Sequence, residues 1–203
     1  MSLTDTQLWE LSKRMNFPLE SVCFKDAIPN IKMNKCYIIN LQDHQDERGN
    51  TNSGSHWTTF QLNKSKNGKV DGIYFDPYGV GMPTDVETAI KKAIGKSIPH
   101  TTKDIQSLMN NACGWYCCAF LYWINSNKHS AGELYLDTSN FLDFFDDLDK
   151  SVDFKKNEYM LKHFFRSSNE KERLPINVDF TTIVEKTDEP TIASPLKRTE
   201  SVK

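Results

Sequence analysis

Leu8, Leu11 and Met15 recur at helical spacing behind Ser2, Thr4 and Asp5, residues suited to capping, and predict a short N-terminal helix. The period then changes. "KCYIINL", with the apolar run Cys36 to Ile39 at its centre, reads as a buried strand, and the polar loop "QDHQDERGNTNSGS" separates it from "HWTTFQL", whose β-branched and aromatic residues predict a second strand. After the turn-forming "NKSKNGK", "VDGIYFD" reads as a third strand.

"PTDVETAIKKAIG" returns to the helical period through Val86, Ala89, Ile90 and Ala93, with Pro83 at its start, Thr84 and Glu87 as a capping box, and Gly95 as its stop. "SIPHTTKDIQ" is expected to be another strand. Gly114 to Ile124 is apolar nearly all round, which predicts a helix enclosed by the rest of the fold. Phe141, Phe144, Phe145 and Leu148 mark a further amphipathic helix, and one more runs through "NEYMLKHFF". From about Glu185 the chain becomes polar, charged and proline-containing, so one domain over 1–184 and a disordered tail over 185–203 are expected.

Composition narrows the class. The 203 residues, 38% hydrophobic, suit one core better than two. No apolar run has membrane-spanning length, and "MSLTDTQLWELSK" lacks a secretory layout, so a reducing, intracellular setting without membrane attachment is expected. Five cysteines, an odd number without metal-knuckle spacing, then read as free thiols. With 25 Lys+Arg against 27 Asp+Glu, the net charge of −2 gives no general attraction to nucleic acid.

Candidate chemistry comes from the strands and the enclosed helix. An antiparallel hairpin of "HWTTFQL" and "VDGIYFD" centred near Lys66 and Asn67 gives opposed residue numbers summing to about 132, which sets His56 against Asp76 on one face. Such a pair alone reads as two surface residues at strand ends. Cys113 alters the weighting, because it stands where the enclosed helix starts, and free amides and the helix dipole there favour a thiolate. Cys117 and Cys118, a turn further in, read as buried packing residues, as do Cys23 and Cys36. His44, His100, His129 and His163 have no acidic partner by spacing and read as surface or structural. Gln106, seven residues before Cys113, could add an amide to the Cys113 N–H as oxyanion donors, although an isolated Gln is more often solvated.

Taken together, "SGSHWTTF", "YFDPYG" and "Q…ACGWYCC" resemble the adenovirus maturation protease family, the adenain group of cysteine peptidases, from the N-terminal helix to about Asn125. The resemblance implies an α+β, papain-like fold: a central mixed sheet flanked by helices, with the nucleophile at the start of a buried helix. It implies a catalytic His56, Asp76 and Cys113, Gln106 in the oxyanion hole, and Trp57 on the wall of the substrate groove. The acid is Asp76 where adenain has Glu. No cofactor or metal is implied. Substrates would be capsid or core precursor proteins, cut at small, glycine-containing sites during maturation in the host cytoplasm and the virion, by an enzyme expected to be a monomer.

The chain also departs from that family. The cysteine through which a peptide activator is joined corresponds here to Gly95, so a disulfide-linked activator is not expected, and the slightly acidic balance disfavours activation by DNA. Proteases of ubiquitin-like modifiers share the fold and triad and are the main alternative. Their usual motif has Asp before the nucleophile and a Gln one residue nearer, whereas Ala112 stands here, which favours the viral branch; a small DNA virus such as a virophage is the implied source. A non-catalytic capsid-binding module would not need all four site residues, and an acyltransferase would be distinguished by acyl transfer to lysine or serine.

Overall fold

A computed structural model describes residues 2–126, 134–148 and 154–167. Helix α1, Asp5–Met15, starts at Thr4, whose hydroxyl accepts from Gln7 N while the Gln7 side chain accepts from Thr4 N, so both orphan amides are satisfied. Strands β1, Leu19–Phe24; β2, Lys35–Asn40; β3, Trp57–Lys64; and β4, Val70–Phe75, form one mixed sheet in the order β1-β2-β3-β4. The first pair is parallel and the other two antiparallel. Four helices follow: α2, Thr84–Ile94; α3, Cys113–Ser126; α4, Leu134–Leu142; and α5, Phe154–Ser167. The architecture is thus α+β, a four-stranded mixed sheet flanked by helices. No helix among the described residues is long and apolar enough to cross a membrane.

Alternation along the strands divides the sheet between two cores. Tyr37, Ile39, Phe60, Leu62 and Tyr74 pack with Val86 and Ile90 of α2 on one face. Cys36, Ile38, Ile73 and Phe75 face the larger core made with α1, α3, α4 and α5. Within it Trp115, Tyr116, Cys117, Cys118, Ala119, Phe120 and Leu121 of α3 are all buried, and Phe120 stacks on Phe75 with centroids 4.4 Å apart. Such an apolar helix is stable because other elements cover it on every side, each fully buried large side chain contributing about 1.5–3 kcal/mol.

Several expectations need correction. The hairpin register pairs Thr59 with Phe75, Phe60 with Tyr74 and Lys64 with Val70, two residues displaced from the expected one. The cause is the turn: Ser65 N donates to Lys69 O and Gly68 N to Ser65 O, with Gly68 at φ +83°, which centres the loop on Asn67. An even displacement leaves His56 and Asp76 on one face, now as diagonal neighbours.

No capping box forms at α2. Pro83, at φ −62° and ψ 149°, takes the N-cap place and puts Thr84 inside the helix, while Glu87 turns to Ser97 and Lys91. The segment expected to be a strand at 97–106 makes only a bridge between His100 and Tyr74. Pro99 has no amide to extend the ladder, and Ile105 N and Gln106 N donate to Pro77 O instead. Helix α4 runs earlier than the phenylalanine spacing indicates: it ends at Leu142, and Phe144, Phe145 and Leu148 follow in tight turns in which Phe144 N donates to Phe141 O. The tail at 185–203 lies outside the described residues.

Candidate active site

His56 is delivered by the end of the long loop, where Leu41 N donates to His56 O at 3.0 Å and Ser55 N to Asn40 Oδ1 at 3.1 Å. Asp76 directly follows β4. His56 Nε2 and Asp76 Oδ1 are 2.8 Å apart, with the side chains 13% and 1% exposed. The same Oδ1 accepts from Tyr78 N at 2.8 Å, and Oδ2 is buried without a partner. With Nε2 committed to Asp76, Nδ1 is the nitrogen left to interact with the neighbouring Cys113 side chain. Burial by itself would lower the His56 pKa. The hydrogen bond to Asp76, its charge and the neighbouring Cys113 side chain outweigh it and raise it to about 9, so the ring is an imidazolium at neutral pH.

Cys113 is the first residue of α3 and only 3% exposed. Ala112 O accepts from Tyr116 N at 3.0 Å to open the helix, so the Cys113 amide has no intrahelical acceptor. Gly114 exists for close packing: a Cβ there would lie 3.1 Å from Leu3 Cβ and 3.3 Å from Leu8 Cδ2. The segment before α1 thereby rests on the first turn of α3. Trp57 fastens the same segment from the other side, its Nε1 donating to Leu3 O at 2.9 Å, with the half-buried indole packed against the larger core.

The other thiols are differently placed. Burial pushes Cys36, Cys117 and Cys118 well up, and Cys117 Sγ donates to Trp57 O at 3.3 Å. Cys23, partly buried, is raised by the same cause. His44 and His100 are exposed, His44 against the Phe24 ring. His129 and the His163 side chain lie outside the described residues.

Gln106 is fully buried beside the dyad, not solvated. Its Nε2 donates to the Tyr78 hydroxyl and to Asn110 O, each at 3.1 Å, and its Oε1 is buried without a partner. Tyr78, missed by the sequence reading, stacks on His56 with centroids 4.4 Å apart and planes 23° from parallel. The hairpin register could have found it, because continuing the observed pairing beyond Thr59 and Phe75 sets Tyr78 opposite His56. Gly79 follows at φ +67°, where a Cβ would be 2.6 Å from Thr102 O.

Helix α5 supports this corner with contacts no local pattern signals. Asn157 Nδ2 donates to Ile105 O and Asp146 O, and Asn110 Nδ2 donates to Glu158 Oε1. Among the described residues no group of His, Cys, Asp and Glu could hold a metal ion. No protein-family model matches the chain, and no curated protein matches it.

Proposed function

We propose that the protein is a cysteine endopeptidase of papain-like, adenain-type fold that cuts capsid or core precursor proteins during virion maturation. The observation that carries the reading is the His56 imidazole held at 2.8 Å by the buried Asp76 carboxylate, with Cys113, at the first turn of α3, near enough to raise the His56 pKa. The Cys113 thiolate attacks the scissile carbonyl. Asp76 holds the His56 ring in the productive tautomer and stabilises its charge. The oxyanion is received by the Cys113 N–H and by the side held by Gln106 and Tyr78. His56 gives its proton to the leaving amine, and water resolves the thioester.

The 3% exposure of Cys113 supports cleavage at small residues, because a glycine-containing strand reaches a recessed sulfur where bulky side chains are held off. Trp57, adjacent to His56, would present its exposed edge to that strand. The test is incubation of wild type and Cys113→Ala with the capsid and core precursors, mapping new termini by mass spectrometry. Cuts by wild type alone, next to glycine, are expected; equal cutting by Cys113→Ala would overturn the assignment.

A further inference from the structure

An amide nitrogen carries two hydrogens, and those of Gln106 are both spent, one on the Tyr78 hydroxyl and one on Asn110 O. Turning the amide over would set Oε1 against the Asn110 carbonyl, acceptor against acceptor, so this orientation is the favoured one. Gln106 has nothing left to offer a developing oxyanion. The Tyr78 hydroxyl has. By accepting from Gln106 it fills a lone pair and keeps its own proton for donation.

Its ring is also fixed as a preorganised donor must be. His56 stacks on it at 4.4 Å, its main-chain N–H is tied to Asp76 Oδ1 at 2.8 Å, and Gln106 holds its oxygen at 3.1 Å. The positive φ of Gly79 and its seat against Thr102 O anchor the following residue. Burial raises the Tyr78 pKa, and the neighbouring Cys113 and Asp76 raise it further, so the hydroxyl stays protonated.

We propose that the Tyr78 hydroxyl is the side-chain donor to the oxyanion, partnered by the Cys113 N–H, and that Gln106 is a positioning residue which aims it. The inference rests on the cysteine-hydrolase reading above. As the Sγ–C bond forms, the carbonyl π pair moves to oxygen, and that oxygen accepts both hydrogen bonds. Tyr78 transfers no proton. When the C=O bond re-forms, the C–N bond breaks and the His56 imidazolium proton passes to the departing amine nitrogen.

Two probes on the full chain separate the inference from the reading beneath it. Iodoacetamide alkylates a thiolate without placing an oxygen in the oxyanion site, whereas acetyl-glycyl-glycinal, a peptide aldehyde, adds the thiol across its C=O bond as a tetrahedral hemithioacetal whose oxygen occupies that site. Tyr78→Phe keeps the stacked ring and the main-chain N–H. Expected are a Cys113 alkylation rate within about twofold of wild type and aldehyde protection weakened about 10²-fold, the size of losing one oxyanion donor. Gln106→Ala should weaken protection less, and the double variant should be no worse than Tyr78→Phe, as for residues acting in series. Undiminished aldehyde protection in Tyr78→Phe overturns the inference, because the freed Gln106 amide would then be the donor. A wild-type Cys113 alkylated no faster than Cys36 or Cys117 brings down the hydrolase reading itself, and the inference with it.

Discussion

Asp76 Oδ1 receives His56 Nε2 and the Tyr78 main-chain N–H at the same distance, 2.8 Å, while Oδ2 is buried with no partner. One carboxylate oxygen therefore sets both the orientation of the imidazole and the place of the ring stacked on it. Asp76→Asn keeps the shape but removes the charge and lets an amide N–H point at Nε2. Turnover should fall by about 10² to 10⁴-fold, as expected when the third member of a triad no longer orients the base. Steady-state kinetics of a correctly folded variant check this.

The raised His56 pKa makes a pH prediction. In the proposed mechanism the imidazolium protonates the leaving amine, so cleavage should decline as pH passes about 9, and the decline should begin at lower pH in Asp76→Asn. The same shift stabilises the fold by roughly 3 kcal/mol, fully present below the unfolded value near 6.5 and lost as pH rises through about 9. Urea unfolding from pH 6 to 10, compared with His56→Ala, measures the slope; its absence from wild type would contradict the assignment.

Gly79→Ala forces a side chain into the left-handed region and to within 2.6 Å of a main-chain oxygen. The cost should be about 2–4 kcal/mol, combining backbone strain with overpacking. Because Tyr78 is the preceding residue, catalytic loss should accompany the lower unfolding midpoint. Full activity with lowered stability would show that the loop is only structural.

Asn157 is fully buried and serves Ile105 O, Asp146 O and Asp146 N at once. Asn157→Leu fills the space but strands those main-chain groups, and about 2–5 kcal/mol should be lost. Denaturant midpoints report the loss, and backbone amide exchange at Ile105 and Gln106 should rise with it.

Much of this arrangement was legible in the sequence, and the omissions have physical causes. His56 and Asp76 could be brought together because a hairpin is a local feature with readable turn chemistry, and Cys113 could be set at a helix start, whereas joining it to that pair rested on the family resemblance. Strand β1 was missed because "LESVCF" lies at a sheet edge, mostly half-buried, and joins β2 in parallel, without a hairpin turn to signal it. The burial of Gln106 and its support by α5 arise from contacts between segments some fifty residues apart, such as Asn157 with Ile105. Tyr78 lay in view within "DPYG", but a register in error by two residues set Asp76 in its place opposite His56.

The register carries a rule for how this hairpin can change. A slip of β4 against β3 by two residues moves Asp76 along the strand yet keeps it on the imidazole's side, whereas a slip by one turns it through the sheet toward α3. Parity, more than length, is therefore what variation in the 65–69 turn must respect. Homologues can lengthen that turn freely where the ladder stays fixed, but those that re-register it should do so in pairs.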